Sequence, residues 1–282
     1  MFNIKDFLVT DNPDTHFYVT VDMSQLEICG LAEVTKDKVL TKELNSGVDI
    51  HTRNASEWLG IPEKDVTEEQ RKAIKSISFG LIYGASVSTL ADNAKILESL
   101  ARDIVNRFYK KYRKVYEFHE HLKEIKASHG IPSSKENTLK LGPGFINTIT
   151  GRTYSISPSE SESGQLYWPL TAMKNYPIQG FSTGDLVPYV FNLISFFIEA
   201  ESYTSIEMVS TVHDDCTYQV SNELIMEFLC IVEFVFQNLN TWFEKHFDYQ
   251  LQVVYNYDVK IGTSLNNQDK FKRSEIRDLL GV

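Results

Sequence analysis

The segment from Arg71 to Gly84, with the sequence RKAIKSISFGLIYG, constrains the fold more than any other part of the chain. Two cations and two aromatic residues recur in it at intervals of four: Arg71, Lys75, Phe79 and Tyr83. Because an α-helix has 3.6 residues per turn, a step of four places these side chains along one slowly winding face. The pattern therefore predicts a helix that presents cations in its first half and aromatic rings in its second.

The flanking residues predict where this helix begins and ends. Thr67 and Gln70 have the spacing of a capping box, and Gly84 is a favourable stop. Cations in the first half of a helix suit a phosphate chain, and aromatic rings beyond them suit a base or sugar beside it. The face is typical of a nucleoside triphosphate site, although an ordinary amphipathic helix with a basic edge would give the same spacing.

The composition alone does not indicate a class of protein, but the distribution of charge along the chain restricts the possible functions. The chain has 282 residues, 42% of them hydrophobic, which is enough for one large domain or two. Its net charge is −10, but residues 64–126 hold 13 Lys or Arg against 9 Asp or Glu, a local +4, and residues 199–248 hold one against ten, a local −9. This asymmetry fits an enzyme that binds phosphates with one part and metal ions with another; two solvated faces of opposite charge would also explain it.

Acidic residues stand at two predicted strand ends. The segment from Phe17 to Asp22 alternates and is rich in β-formers, so it predicts a strand that ends at Asp22. Residues 210–220 predict two strands joined by a tight turn, with His213, Asp214 and Asp215 at its tip. Adjacent acids at a hairpin tip repel each other unless a cation neutralises them. A metal site is one explanation, and an ordinary helix cap plus an Asp-rich turn is the other.

Four segments, in order, resemble the motifs of the family A DNA polymerases, the DNA polymerase I type. DMSQLEI at 22–28 resembles the family's D-Y-S-Q-I-E-L-R, and residues 71–84 match every fixed position of R-x-x-x-K-x-x-x-F-x-x-x-Y-G. NYPIQG at 175–180 is similar to N-x-P-x-Q-G, and HDD at 213–215 is similar to H-D-E. The resemblance covers nearly the whole chain.

The resemblance implies a catalytic centre with two Mg²⁺ ions. Asp22 and Asp214 would bridge the ions, the Met23 carbonyl would add a ligand, and Lys75 would protonate the leaving pyrophosphate. Asp215 stands where the family has Glu and would have a supporting role with a shorter side chain.

The resemblance also implies a deoxynucleotide site. Glu27 would exclude ribonucleotides by filling the space beside the sugar 2′ position. Phe79, rather than Tyr, would discriminate against sugars that lack a 3′-hydroxyl. The residues that the resemblance places at the incoming nucleotide are Gln25, Glu27, His51, Arg71, Lys75, Phe79 and Tyr83.

Contacts with the primer–template follow from the same resemblance. Asn175 and Gln179 would lie where a helix begins at the DNA minor groove, His213 would steady the primer end, and Arg152, in the T-x-x-G-R segment from Thr148, would meet a DNA phosphate.

The expected fold is α+β: a polymerase right-hand fold with an antiparallel palm sheet and an inserted helical fingers domain, without thumb or exonuclease domains. The palm is predicted at residues 1–36 and 171–282, and the fingers at 37–170. Within the fingers, residues 91–127 are predicted to be a long helical stretch. Apolar residues from Leu97 to Leu122 recur in it at spacings of three and four, which indicates packing into the core.

The expected partners are a DNA primer–template, deoxynucleoside triphosphates and a second polypeptide that carries the thumb, the exonuclease domain or both. This partner would dock near Phe2, Ile4 and Phe7, and a short phage-encoded, split polymerase would fit. With no run of membrane-span length and no signal peptide, we expect a cytoplasmic protein, bacterial or in a phage-infected cell, with no membrane contact. Two alternatives are a single-subunit RNA polymerase, against which Glu27 and the acid at 215 argue, and a non-catalytic DNA-binding subunit that kept the fold.

Overall fold

The chain forms two compact units in a computed structural model that describes residues 4–132, 143–147 and 149–282. The first, here the sheet unit, comprises Met1–Glu27, Ser182–Leu251 and Tyr255–Val282. The second, here the helical unit, comprises Ile28–Phe181 and Gln252–Val254. The helical unit is thus inserted into the sequence of the sheet unit.

Five antiparallel strands form the sheet, in the order β6-β7-β1-β8-β9. Their bounds are β1 His16–Met23, β6 Ile206–Val212, β7 Asp215–Ser221, β8 Tyr257–Gly262 and β9 Asp269–Lys272. The predicted strand ending at Asp22, the predicted hairpin and the antiparallel sheet are confirmed.

The central strand fixes the register of the sheet. Val19 and Val21 on β1 are fully buried. β-Branched residues such as valine are typical of a strand that has neighbours on both sides, as β1 has. Asp22, at the end of this strand, lies opposite Asp215 on β7 and Asp258 on β8. The sheet therefore ends in a row of three acids.

Three helices complete the sheet unit: α9 Val187–Ala200, α10 Ile225–Phe247 and α11 Arg273–Leu280. Two longer helical runs, Leu170–Ala200 and Asn222–Phe247, satisfy the length and hydropathy criteria for a membrane span, so the expectation that no run approaches that length was wrong. Phe228, Val232 and Val235 of the second run are fully buried within the protein. Core helices satisfy the same criteria, so these runs are weak evidence for a membrane.

The helical unit contains most of the helices that the structure describes. Their bounds are α1 Leu26–Thr35, which starts in the sheet unit, α2 Lys38–Asn45, α3 Ile50–Leu59, α4 Glu68–Ile82, α5 Val87–Ala94, α6 Glu98–Lys111, α7 Arg113–Ser128 and α8 Leu170–Gln179. Two small hairpins pair β2 Gly144–Asn147 with β3 Arg152–Ser155, and β4 Ser159–Glu160 with β5 Leu166–Tyr167.

The helix predicted from the Arg71–Gly84 segment is confirmed as α4. Thr67 Oγ1 accepts a hydrogen bond from Gln70 N at 3.2 Å, and Gln70 Oε1 accepts one from Thr67 N at 2.9 Å, which is the predicted capping box. The helix ends before Gly84, whose φ of 80° is in the left-handed region that favours glycine.

The long helical stretch predicted at 91–127 is confirmed as helical; it comprises the end of α5, then α6 and α7, and the last two meet at Tyr112. Two details of the helical predictions were wrong. Leu97 is 76% exposed because it is the residue that precedes the first turn of α6 and points away from the core. The motif from Asn175 to Gly180 does not begin a helix: it completes α8, which starts five residues earlier at Leu170 and continues into the π-helical segment Gly180–Leu186.

Some predicted features fall outside the described residues. Phe2 and Thr148 are not described, nor is the Ile4 side chain, so the docking edge proposed around Phe7 is described only in part.

The unit boundaries at 27/28 and 181/182 differ from the predicted palm and fingers boundaries at 36/37 and 170/171. The naming of the units as palm and fingers stays a prediction.

A buried histidine links the stability of the helical unit to pH. His119 on α7 is 1% exposed, and its Nδ1 lies 2.9 Å from the Tyr109 hydroxyl. Burial, reinforced by the charges of Lys174 and Lys123, lowers the pKa of His119 to about 3. The unfolded chain therefore binds a proton at His119 that the folded chain does not, and stability falls as the pH drops from about 6.5 towards 3.

We predict that His119→Gln removes part of the acid sensitivity. Between pH 7 and pH 5 the wild-type chain should lose about 2 kcal/mol through this group, and the variant should lose about that much less. Urea unfolding at the two pH values measures the difference. His121→Gln, on the same helix but exposed, is the matched control and should behave as wild type. Equal acid sensitivity in wild type and His119→Gln would contradict the assignment.

Candidate functional site

The acids of the sheet unit converge where β1, β6 and β7 meet. Asp22 lies at the end of β1, Asp214 in the turn between β6 and β7, and Asp215 at the start of β7. The backbone N–H of Met23 donates a hydrogen bond to the Asp214 carbonyl at 3.0 Å. The two motifs that resemble polymerase carboxylate motifs are therefore joined by the backbone itself.

Electrostatic repulsion accompanies this convergence. Burial, together with the charges of Asp22, Asp215 and Glu27, raises the pKa of Asp214 above its ordinary value. Burial also raises the pKa of Asp215, with the Lys260 ammonium opposing the shift. Glu27, in the first turn of α1, is thus close enough to act on Asp214. Carboxylates held together at this cost favour a bound cation.

A lysine from β8 supplies positive charge at this end of the sheet. Lys260 Nζ donates a hydrogen bond to Asp22 Oδ2 at 2.8 Å and lies 4.0 Å from Asp215 Oδ2. Burial lowers the pKa of Lys260, but the hydrogen bond to Asp22 and the charges of Asp22, Asp215 and Asp214 outweigh it, and the net pKa is raised. Lys260 is therefore charged at neutral pH.

The carboxylates at this end of the sheet are the donors available to the expected metal. In the ranges 4–132, 143–147 and 149–282, no group of three or more His, Cys, Asp or Glu side chains is arranged to hold a metal ion. Asp22 and Asp214 offer two carboxylates, and Mg²⁺ is commonly bound by one or two carboxylates together with water and substrate phosphates. The mutual repulsion of these acids and the hard oxygen donors fit Mg²⁺.

The remaining predicted residues of the sheet unit lie in turns. Gln25, between β1 and α1, has a φ of 53°, and His213, at the tip of the β6–β7 turn, has a φ of 56°. A positive φ is uncommon for residues other than glycine, and both positions adjoin the carboxylates. The His213 side chain is exposed.

The helical unit brings together a second group of predicted residues. Asp49 caps α3 by accepting hydrogen bonds from His51 N and Thr52 N. Its other carboxylate oxygen accepts a hydrogen bond from Arg71 Nε at 2.8 Å. Burial opposes ionisation of Asp49, but these bonds and the Arg71 charge hold its pKa below the usual value. Arg71 is therefore fixed by the residue that starts the neighbouring helix.

Aromatic rings extend this group along α4. The ring of His51 lies 5.7 Å from that of Phe79, which lies 6.4 Å from that of Tyr83, and Lys75 Nζ is 5.4 Å from the Phe79 ring centroid. Burial lowers the pKa of His51 to about 4; Asp49 opposes this shift, and Lys75 and Arg71 add to it. The imidazole is neutral at pH 7, and the predicted cation–aromatic face of α4 is continuous.

The predicted DNA-contacting residues form a third group. Asn175 Nδ2 donates a hydrogen bond to Gln179 Oε1 at 3.0 Å, one turn apart on α8. Arg152 begins β3 and is exposed. A Cβ at position 180 would overlap the hydroxyl of Tyr154, also on β3, so glycine is required where this strand packs on the end of α8.

Three charged residues that the sequence did not single out are close to these groups. Asp49 and Lys260 pair with predicted residues from a distance in sequence that no local pattern reveals. Lys174 precedes Asn175 and is 5% exposed; burial and the charge of Lys123 lower its pKa to about 8, and it lies against Gly84. Its only sequence signal is its place beside the NYPIQG segment.

A comparison with protein families shows which family the sequence matches. The family model described as DNA polymerase family A matches residues 1–267. This match covers the segments that carry the resemblance described above.

Curated relatives are DNA polymerases I. The chain is 27% identical to DNA polymerase I of Rhizobium leguminosarum over 225 residues, which cover 79% of the chain and 21% of the relative. It is 30% identical to DNA polymerase I of Aquifex aeolicus over 223 residues, covering 77% of the chain and 34% of the relative. The chain thus spans between a fifth and about a third of these relatives.

A solved structure has the same fold. It is described as the POL domain of Pol1 from M. smegmatis in complex with DNA primer-template and dNTP; the TM-score is 0.64 at 21% identity, and the match covers 92% of this chain and 41% of that one. The α+β polymerase fold expected from the sequence is confirmed.

Proposed function

The chain belongs to DNA polymerase family A, and from this premise we propose that it catalyses the template-directed addition of deoxynucleotides to a primer 3′-hydroxyl. One observation carries the proposal: the Met23–Asp214 backbone hydrogen bond holds the two motif carboxylates, Asp22 and Asp214, at one end of the sheet. The retained acids argue against a non-catalytic subunit. The Glu27 side chain beside Asp214 argues against an RNA polymerase.

The carboxylates are the proposed metal-binding part of the site. Asp22 and Asp214, with the Met23 carbonyl, would hold two Mg²⁺ ions, which supply charge stabilisation at the attacking and leaving oxygens when bound. Asp215 supports this end of the sheet through its contact with Lys260. Asp214 and Asp215 ionise less readily than free aspartate because they are partly buried, and repulsion from the neighbouring acids adds to this effect. A cation held there would offset that repulsion.

The helical-unit group is the proposed triphosphate and base site. Arg71 and Lys75 bind the phosphates, and Phe79 and Tyr83 contact the sugar and base. Asp49 holds the Arg71 guanidinium in place before the triphosphate binds. The triphosphate therefore competes with Asp49 for this guanidinium. Because His51 is neutral at pH 7, it contributes a hydrogen bond to the phosphates rather than a charge.

The proposed reaction is a phosphoryl transfer. The primer 3′-hydroxyl loses its proton to water, and its oxygen forms a bond to the α-phosphorus while the bond from that phosphorus to the bridging oxygen of the β-phosphate breaks, so that pyrophosphate leaves. Lys75 Nζ is the proposed donor of a proton to that leaving group. Gln25 and Glu27 line the sugar, and Glu27 occupies the space that a 2′-hydroxyl would need.

The DNA contacts are proposed for the third group and the turn of β6 and β7. Asn175 and Gln179 face the acceptors shared by all base pairs in the minor groove, Arg152 binds a phosphate, and His213 steadies the primer end. Asn175 Nδ2 is hydrogen-bonded to Gln179 Oε1 in the absence of DNA, so DNA binding would exchange this bond for bonds to the bases.

The wider assignment is also a proposal. We assign the sheet unit to the palm and the helical unit to the fingers of a cytoplasmic polymerase, with a DNA primer–template and deoxynucleoside triphosphates as ligands. A second polypeptide carrying thumb or exonuclease domains and a phage origin stay predictions.

The carboxylate assignment is tested by Asp22→Asn and Asp214→Asn. Each should lower primer extension by at least about a thousandfold, because a neutral amide cannot hold a divalent cation as a carboxylate does. Single-nucleotide incorporation by the purified variants measures the loss. Asp258→Asn, in the same row of the sheet but one strand farther from Asp214, is the control and should retain activity within a few-fold. Near-normal activity in either test variant removes that residue from the mechanism.

Sugar selection is tested at Glu27 and Phe79. Glu27→Ala should admit ribonucleotides because the blocking carboxylate is gone, and Phe79→Tyr should admit 3′-deoxy terminators. The measurement is kcat/KM for each analogue relative to the normal deoxynucleotide. Glu57→Ala, a carboxylate on α3 that pairs with Lys111, is a control that should not change the ratio. Equal use of ribonucleotides and deoxynucleotides by the wild-type chain would instead favour the RNA polymerase alternative.

DNA affinity is tested with the 282-residue chain alone. Non-specific affinity comes from phosphates neutralised by Lys and Arg, yet residues 64–126 carry only a local +4, and two of those cations are assigned to the nucleotide. We expect weak primer–template binding at physiological salt and short, distributive products. Fluorescence anisotropy at two salt concentrations and product lengths under single-hit conditions check this. Nanomolar binding with long processive products would show that the chain needs no second polypeptide.

A further inference from the structure

The three acids at the end of the sheet form one cross-strand row. Asp22 is directly opposite Asp215 on one side and Asp258 on the other, and directly opposite residues of antiparallel strands project on the same face, about 4.5–5.5 Å apart at Cβ. Like charges in such positions destabilise a sheet. The row therefore needs positive charge from nearby.

Two lysines in the next row supply that charge, and they do so differently. Lys260 is opposite Thr20 and Lys270. Among the ion pairs of the described residues, Lys270 Nζ has one partner, Asp258, at 2.7 Å. Lys260 Nζ bonds to Asp22 at 2.8 Å and has Asp215 at 4.0 Å, so it lies between two acids of the row.

The position of Lys260 is restricted by the strands on either side of it. Its side chain is 30% exposed, against 55% for Lys270, and it arises from β8, which is hydrogen-bonded on both edges. The four-carbon stem lets the ammonium move while the backbone stays fixed. Asp215 is the nearest second acceptor for it.

We propose that Lys260 is a positioning residue that serves as the resident counter-ion of Asp22 and competes with a divalent cation for that carboxylate. The proposal rests on the proposed function, which makes Asp22 a metal ligand. In the absence of metal, the ammonium holds Asp22 in place and offsets the repulsion of the acid row. When a divalent cation binds, the ammonium shifts from Asp22 to Asp215. The shorter acid at position 215 then serves as the second partner of Lys260.

Metal binding, measured without DNA or nucleotide, tests this competition. Mn²⁺ is titrated into the full 282-residue chain, and free Mn²⁺ is followed by electron paramagnetic resonance. Lys260→Met removes the competing charge and should bind Mn²⁺ about fivefold more tightly, the scale of one partly exposed ion pair. Lys260→Arg keeps the charge and should bind within about twofold of wild type.

Two further variants separate this proposal from its premise. Lys270→Met removes a lysine of the same sheet whose partner is Asp258 and should leave Mn²⁺ binding unchanged. Asp22→Asn should weaken binding about tenfold. If Asp22→Asn weakens binding but Lys260→Met binds as wild type or more weakly, the competition is overturned and the carboxylate site stands. If Asp22→Asn has no effect, both the site and the competition are overturned. Thermal unfolding without metal verifies that each variant is folded.

Discussion

The register of the central strand is the constraint on which the rest of the site depends. Because β1 pairs with β7 on one edge and β8 on the other, the backbone of Asp22 is held opposite Asp215 and Asp258. The Met23–Asp214 bond then fixes the turn between β6 and β7 to the end of the same strand. A shift of one residue would turn Asp22 to the opposite face, so the buried residues Val19 and Val21 also determine where the acids lie.

The local patterns of the sequence were sufficient for some elements and not for others. The capping box at Thr67 and the alternation before Asp22 depend on neighbouring residues, so the helix α4 and the strand β1 could be predicted. The start of α8 could not, because the resemblance placed a helix start at the segment from Asn175, whereas the helix begins at Leu170 and includes Pro177. Leu97 fits the apolar spacing, but it precedes the first turn of α6 and does not face the core.

Some residues of the candidate site could also be predicted from the sequence, and others could not. The resemblance assigned both His51 and Phe79 to the incoming nucleotide, and the structure places their rings 5.7 Å apart. Asp49 and Lys260 received no role from the sequence: their importance appears only when folding brings them to Arg71, 22 residues away, and to Asp22, 238 residues away. Sequence spacing cannot reveal such pairs, because each is an ordinary charged residue until its partner is known.

The same electrostatic arrangement occurs at both groups of charged residues. In the sheet unit Lys260 neutralises Asp22, and in the helical unit Asp49 neutralises Arg71. An internal partner of opposite charge lowers the cost of keeping a half-buried ion in place and holds it in one orientation, so less entropy is lost when a ligand binds. The same partner would have to be displaced, so affinity for the proposed metal or triphosphate would fall. Such a site would favour precise orientation of the ligand over tight binding, which suits the proposed polymerase reaction, in which pyrophosphate leaves and another nucleotide enters at every step.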